Sequence, residues 1–310
     1  AMAQTVAGPK LARSLSLAIA GSGGTGVMTA GNMLLEAAAR AGLYGLMVRI
    51  SGPQIRGGEA AALLRFAPQP VESLDDQFEV LIALDWQGVH RLASEIPLGP
   101  ESLIIVDPGQ GTAPEAYVKG AARCVELPMK NLSKSVPGSW PNMIALGIAA
   151  GLLGLPAEAV DAIVRKSLKS TSQAALTASL AAMAAGRAAA ADIGASFTLA
   201  RPAQPAPRWL ITGNEAAGLG AIRGGVRFVA AYPITPATEM LEWMAPALAQ
   251  VGGVLVQAED ELASINMAIG ASFGGIPALT ATSGPGLSLM TEALGLAVAA
   301  EVPVVVVDVM

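Results

Sequence analysis

The sequence predicts an α/β protein built as two successive domains, each organised around a parallel sheet. Two observations carry that reading. Short runs of β-branched and aliphatic residues alternate with helical stretches along the 310-residue chain, the spacing that builds parallel α/β layers. Several of these runs end in turns loaded with glycine, proline or acid, and ligands sit outside the carboxyl ends of strands in open parallel sheets. The length suffices for two hydrophobic cores.

The first domain opens with a strand over Ser14 to Ala20, the loop Gly21-Ser-Gly23-Gly24-Thr25-Gly26, and an apolar-periodic helix from Val27 to Ala41. This is a phosphate-binding pattern: glycines let the backbone approach an anion, and the helix start offers unpaired N–H groups and a partial positive charge. A nicotinamide-binding unit would place an acid at the end of the second strand, yet Leu46 to Ile50 ends in Arg49, Ile50 and Ser51. Arg49 could accept a ribose phosphate instead. The turn Ser51-Gly-Pro-Gln-Ile-Arg56-Gly-Gly-Glu59 belongs to no standard dinucleotide element. The bland reading of these glycines is close packing at Gly23 and Gly26 and a tight turn at Gly57 and Gly58. Glu79 to Leu84 and Ser102 to Val106 read as a third and a fourth buried strand. Helices begin at Asn142 and after Pro156, and Ala174 to Ala191 is helical by propensity, with Gly186 as a local weakness.

Three prolines between Arg201 and Arg208 make an extended linker, dividing the chain into a domain over 1–200, a linker over 201–208 and a domain over 209–310. In the second domain Gly213-Asn-Glu215 starts a helix that runs to Arg223 and ends at Gly224-Gly225. Four runs then have the length and composition of buried strands: Arg227 to Ala231, Val254 to Gln257, Pro277 to Thr282 and Val302 to Val309. The first is followed by Tyr232-Pro233-Ile234-Thr235-Pro236, whose two prolines fix backbone φ and present Thr235 in one direction. Ala237-Thr238-Glu239 supplies helix-capping groups. The second run is followed by Glu259-Asp260-Glu261, and the third by Ser283-Gly284-Pro285-Gly286, which lacks the lysine of a nucleotide phosphate loop. Read as a central strand, the last run leaves the loop at its carboxyl end unbuilt, so the domain is expected to be incomplete at Met310.

Composition excludes several classes. Hydrophobic residues make up 53% of the chain, much of it alanine, and mean hydropathy is +0.52. The uncharged stretch from Ser135 to Ala157 is broken by Pro137, Pro141 and Pro156 into pieces too short for a bilayer, so no membrane span is expected. One cysteine, Cys124, cannot form an internal disulfide or hold an iron–sulfur cluster or structural zinc. His90 has no second histidine or neighbouring cysteine to share a metal, and a surface or packing role is expected. A net charge of -5, without a basic run, argues against nucleic acid. A cytoplasmic location is expected.

Gly213-Asn-Glu-Ala, Tyr232-Pro-Ile-Thr-Pro236, Gln257-Ala-Glu-Asp-Glu261 and Thr282-Ser-Gly-Pro-Gly286 occur in this order. Together they resemble the thiamine-pyrimidine (alpha) domain of 2-oxoacid:ferredoxin oxidoreductases, while Arg56-Gly-Gly and Asn142 to Gly147 resemble the gamma domain of that family. A gamma domain fused ahead of an alpha domain is common among its 2-oxoglutarate members. The resemblance implies oxidative decarboxylation of 2-oxoglutarate with coenzyme A to succinyl-CoA, reversibly coupled to ferredoxin; pyruvate or a broader range of 2-oxoacids is the alternative within the family. It implies Glu259 beside the thiamine pyrimidine, after a strand whose burial would raise its pKa, and Thr235 on the substrate carboxylate. Tyr232, Pro233, Ile234, Ser283 and Gly284 would line the cofactor, while Gly23, Gly24, Thr25 and Arg56 would contact coenzyme A or order a subunit interface. As plain first-turn acids, Asp260 and Glu261 need no further role. No Gly-Asp-Gly motif for Mg2+ occurs, so a beta subunit would bring the Mg2+–diphosphate site and a 4Fe–4S cluster, in a dimer of heterodimers. Outside the family, a nicotinamide-dependent oxidoreductase or a non-catalytic assembly subunit are the competing readings.

Overall fold

The chain divides into two units, Ala1–Arg208 and Trp209–Met310. A computed structural model describes residues 10–52, 57–120, 123–202 and 208–309. In the first unit a short strand β1 (Lys10–Ala12) is followed by β2 (Leu15–Ser22), α1 (Val27–Arg40), β3 (Tyr44–Ser51), β4 (Glu59–Ala67), β5 (Phe78–Ala83) and β6 (Leu98–Val106). Then come α2 (Glu115–Val118), β7 (Arg123–Glu126), α3 (Met129–Lys134), α4 (Pro141–Leu152), α5 (Ala157–Ser167), α6 (Gln173–Asp192) and β8 (Phe197–Leu199), which pairs with β1.

The main sheet has the order β3-β4-β2-β5-β6-β7. β2, β5, β6 and β7 run parallel, as expected, but β4 is inserted antiparallel to both β2 and β3. β4 went unread in the sequence because Glu59-Ala-Ala-Ala-Leu-Leu has a helix-like alanine content. Burial of nearly the whole run on both faces, not propensity, makes it a strand. The insertion also removes the expected dinucleotide geometry. β3 lies outside β4, so the strand after α1 does not flank the glycine loop, and Arg49 Nη2 donates to Asn32 Oδ1 at 3.3 Å.

α4 is almost wholly buried, flanked by α1 and α6. Gly186 is therefore no weakness in α6. A Cβ there would lie 2.1 Å from the Ile144 carbonyl oxygen, so glycine lets the two backbones touch. By length and composition α6 is also the one helix among the described residues apolar enough to cross a bilayer, but its Ala182, Met183, Gly186 and Ala190 are buried against the core of this unit.

The second unit contains α7 (Gly213–Arg223), β9 (Phe228–Ala231), α8 (Thr238–Gln250), β10 (Val254–Gln257), α9 (Glu261–Phe273), β11 (Ala278–Thr282), α10 (Pro285–Ala299) and β12 (Val305–Asp308). Its sheet is parallel with the order β10-β9-β11-β12. One core packs Met240, Met244 and Leu248 of α8 on Val229 and Leu279; the other packs Ile265 and Ile269 of α9 against Met290 and Ala297 of α10. β11 is fully buried, whereas β10 and β12 are outer strands of the described sheet and partly exposed. The expectation of burial for Val254–Gln257 and Val302–Val309 fails because a short apolar run looks alike at an edge or in the centre.

Candidate functional site

The chain leaves β9 for β10 on one side and returns to β11 on the other, so the β9/β11 boundary is the point where strand order reverses. Ligands of open parallel sheets bind outside the strand ends at such points. The β9–β11 ladder pairs Ala278 with Phe228 and Leu279 with Val229 and goes no further, leaving the carboxyl ends unladdered to each other. On the other side Gln257 pairs with Ala231, and Ala258 N donates to Ala231 O at 3.0 Å. The turns after β9, β10 and β11 thus emerge side by side. Tyr232, Thr235, Glu259, Ser283 and Gly284 all stand at this one end of the sheet.

Tyr232, Pro233 and Thr235 are exposed there, and Ile234 packs half-buried on the core below. The turn is held from beneath by Asn214, whose Nδ2 donates to Pro236 O (3.4 Å) and Glu239 Oε2 (3.3 Å). Asn214 is fixed in turn by a capping box, in which Thr212 Oγ1 accepts from Glu215 N and Glu215 Oε2 accepts from Thr212 N. The Gly-Asn-Glu-Ala motif marked this segment in the sequence; its work as a buttress of the Tyr232–Pro236 turn needed the structure. The expected capping by Ala237-Thr238-Glu239 is not made, because α8 starts at buried Ala237 without a side-chain cap.

Glu259 is exposed at the end of edge strand β10, so the desolvation expected for it is absent from this chain, and its carboxylate has no hydrogen-bond partner among the described residues. Asp260 caps α9, its Oδ1 accepting from Ala263 N at 2.7 Å. Glu261 stands in the first turn of α9, as expected, and is also buried there. Ser283 and Gly284 are half-buried at the start of α10, with Gly284 at φ 33°. Thr280 Oγ1 and Thr282 Oγ1 behind them are buried with no hydrogen-bond partner among the described residues.

In the first unit, the glycine loop opens on a cavity of about 380 Å³ lined by Gly24, Thr25, Asp85, Lys130, Lys134 and Trp140, among others. Asp85 shapes the loop: its Oδ2 accepts from Ser22 N (3.2 Å) and Ser22 Oγ (2.7 Å), while Thr25 Oγ1 donates to Ser22 O (2.7 Å). Gly23 N donates to Gly58 O at 2.6 Å, so that N–H serves the loop rather than the cavity. Gly26 accepts from Asn142 Nδ2 at 3.3 Å, and a Cβ on it would clash with that side chain. These two glycines are packing positions, whereas Gly24, at φ 95° with no described residue near its Cβ position, and Thr25 face the cavity. Arg56 lies outside the described residues. Lys130, Lys134 and exposed Trp140 escaped the sequence reading; two lysines four residues apart, followed by a tryptophan, were the only signal. Among the described residues no group of three metal-ligating side chains occurs.

Known proteins resemble both units of the chain. Residues 16–189 match the family model described as pyruvate ferredoxin/flavodoxin oxidoreductase. Residues 219–310 match the one described as the thiamine diphosphate-binding domain of pyruvate flavodoxin/ferredoxin oxidoreductase. The chain is 58% identical over 97 residues to the 2-oxoglutarate synthase subunit KorA of Methanocaldococcus jannaschii, covering 31% of this chain and 26% of that one. It is 31% identical over 355 aligned positions to the 2-oxoacid:ferredoxin oxidoreductase subunit alpha of a Sulfolobus species, covering 94% of this chain and 53% of the relative. A solved structure of 2-oxoglutarate:ferredoxin oxidoreductase from Magnetococcus marinus, with 2-oxoglutarate, coenzyme A and succinyl-CoA bound, superposes with a TM-score of 0.84 at 35% identity over 96% of this chain and 52% of that chain. The chain therefore spans about half the length of its full-coverage relatives. With a family model matching more than half of its residues and the strand-end turns in place, the chain belongs to the pyruvate ferredoxin/flavodoxin (2-oxoacid:ferredoxin) oxidoreductase family.

Proposed function

We propose that this chain supplies the gamma-type domain and the pyrimidine side of the thiamine diphosphate site in a 2-oxoglutarate:ferredoxin oxidoreductase. The reaction converts 2-oxoglutarate, coenzyme A and two oxidised ferredoxins to succinyl-CoA, carbon dioxide, a proton and two reduced ferredoxins. The observation that carries the reading is the meeting of the Tyr232, Glu259 and Ser283 turns at the β9/β11 switch point. The residues fit the cofactor: a carboxylate with no partner among the described residues stands just past the strand end, and the strand ends beside it are not laddered together. When bound, thiamine diphosphate supplies a carbon nucleophile and an electron sink for decarboxylation.

Glu259 would hold a proton at the pyrimidine N1′. Tyr232, Pro233, Ile234, Ser283 and Gly284 wall the ring, and the Thr235 hydroxyl donates to the substrate carboxylate. In the first unit, Gly24 and Thr25 with Lys130 and Lys134 receive the phosphates of coenzyme A, and Trp140 offers a face for its adenine. The partner is a beta subunit bearing the Mg2+–diphosphate site and the 4Fe–4S cluster, in a cytoplasmic dimer of heterodimers. A broader 2-oxoacid range is the second reading, favoured by the Sulfolobus relative that aligns with 94% of the chain.

The test is reduction of a low-potential viologen by the chain co-purified with its partner, given thiamine diphosphate, Mg2+, coenzyme A and either 2-oxoglutarate or pyruvate. The expected result is coenzyme A-dependent reduction with 2-oxoglutarate preferred, and a loss of about 10²–10⁴-fold in Glu259→Gln. No reduction with any 2-oxoacid, from a complex holding intact cluster and cofactor, refutes the proposal.

A further inference from the structure

We infer that Glu261 is a positioning residue that clasps the turn bearing Glu259 to the turn bearing Ser283 and Gly284; the inference rests on the thiamine reading above. Glu259 and Glu261 are two residues apart in opposite surroundings. Glu259 is exposed, whereas Glu261, the first residue of α9, is only 8% exposed. A buried carboxylate is costly unless something offsets it. No arginine, lysine or histidine pairs with Glu261 among the described residues.

What meets it is the first turn of α10. A Cβ built on Gly286 would lie 3.0 Å from Glu261 Oε1 and 2.1 Å from Thr282 Oγ1. Only glycine admits that approach. The carboxylate meets α10 at the Gly286 Cα, where Gly286 N donates to Ser283 O and Leu287 N to Gly284 O, so the positive ends of α10 and of α9 act on Glu261 through their field and not through a hydrogen bond. The Thr282 hydroxyl, buried and without a hydrogen-bond partner among the described residues, is turned toward the same point.

The consequence for the site is geometric. α9 begins two residues after Glu259, and α10 begins at Gly284. Fixing one helix start against the other sets how far the acid stands from the Ser283–Gly284 wall. The Tyr232–Pro236 turn, on the strand between, is held separately by Asn214. An acid at position 261 therefore governs the slot without touching its contents.

The experiment measures thiamine diphosphate affinity, by quenching of intrinsic fluorescence, in the complex co-purified with its partner, for wild type, Glu261→Gln and Glu261→Ala. Thermal stability is recorded alongside. Removing a buried, unpaired carboxylate need not lower stability, so the expected signature is a split. Kd rises about tenfold or more in Glu261→Ala and less in the isosteric Glu261→Gln, while the melting temperature is held or raised. Should Glu261→Ala fail to fold, Glu261→Gln carries the test. Wild-type Kd in the folded variants overturns the inference, as does a weaker Kd that merely tracks a fall in melting temperature. Absence of binding by the wild-type complex sinks the thiamine reading and this inference with it.

Discussion

Gly186→Ala puts a methyl group where two helix backbones touch. On α6 the new Cβ would lie 2.1 Å from the Ile144 carbonyl oxygen of α4 and 2.9 Å from its carbon; reciprocally, a Cβ on Gly147 would lie 2.0 Å from Met183 O. Carbon–oxygen contacts relax near about 3.3 Å, so α4 and α6 must separate by roughly 1 Å. α4 cannot yield outward, since its other faces are buried in the core shared with α1. Overpacking of this kind costs about 1–3 kcal/mol, more for a backbone clash, and the better helix propensity of alanine returns at most about 1 kcal/mol. For a unit of this size each kcal/mol moves the midpoint by about 2–4 °C, so a fall of roughly 2–8 °C is expected. The assay is thermal unfolding of the full chain followed by circular dichroism, with Gly220→Ala as the opposite case. Gly220 is exposed in α7 with nothing within 4 Å of its Cβ position, and alanine there should hold or raise the midpoint. A Gly186→Ala midpoint equal to or above wild type would refute the close-approach argument.

Two further perturbations test the supports of the fold. Asn214→Ala removes both donors to Pro236 O and Glu239 Oε2 and should cost about 1–2 kcal/mol in the second unit, seen as a lower urea midpoint; an unchanged midpoint means that the Tyr232–Pro236 turn holds itself. Glu79 is half-buried, and burial pushes its carboxyl above the ordinary range, against the Ser16 N–H bond of 2.6 Å that draws it down. A carboxyl that holds its proton more tightly when folded contributes stability below its unfolded value of about 4.3, and that contribution is lost as pH rises through the folded value. Glu79→Gln should flatten this decline, so urea midpoints measured from about pH 4 to 7 should fall less than in wild type; parallel curves would contradict it.

What the sequence determined by itself is what local pattern can specify. Apolar runs bounded by glycine and proline marked β2, β5, β6, β9 and β11, and the order of four motifs marked the family. Each of these depends on neighbours along the chain. Only the tertiary structure decided what depends on neighbours through space. β4 enters the sheet because burial on both faces overrides alanine's preference for helix. Glu259 is exposed and Glu261 buried, although the two sit two residues apart, because one ends an edge strand and the other meets α10. Gly186 is a contact rather than a flaw because α4 lies against it, and Lys130, Lys134 and Trp140 line the glycine-loop cavity because the chain after β7 folds back over it. Periodicity carries the type of an element, but strand order, depth and the partner of each face are settled only when the elements pack.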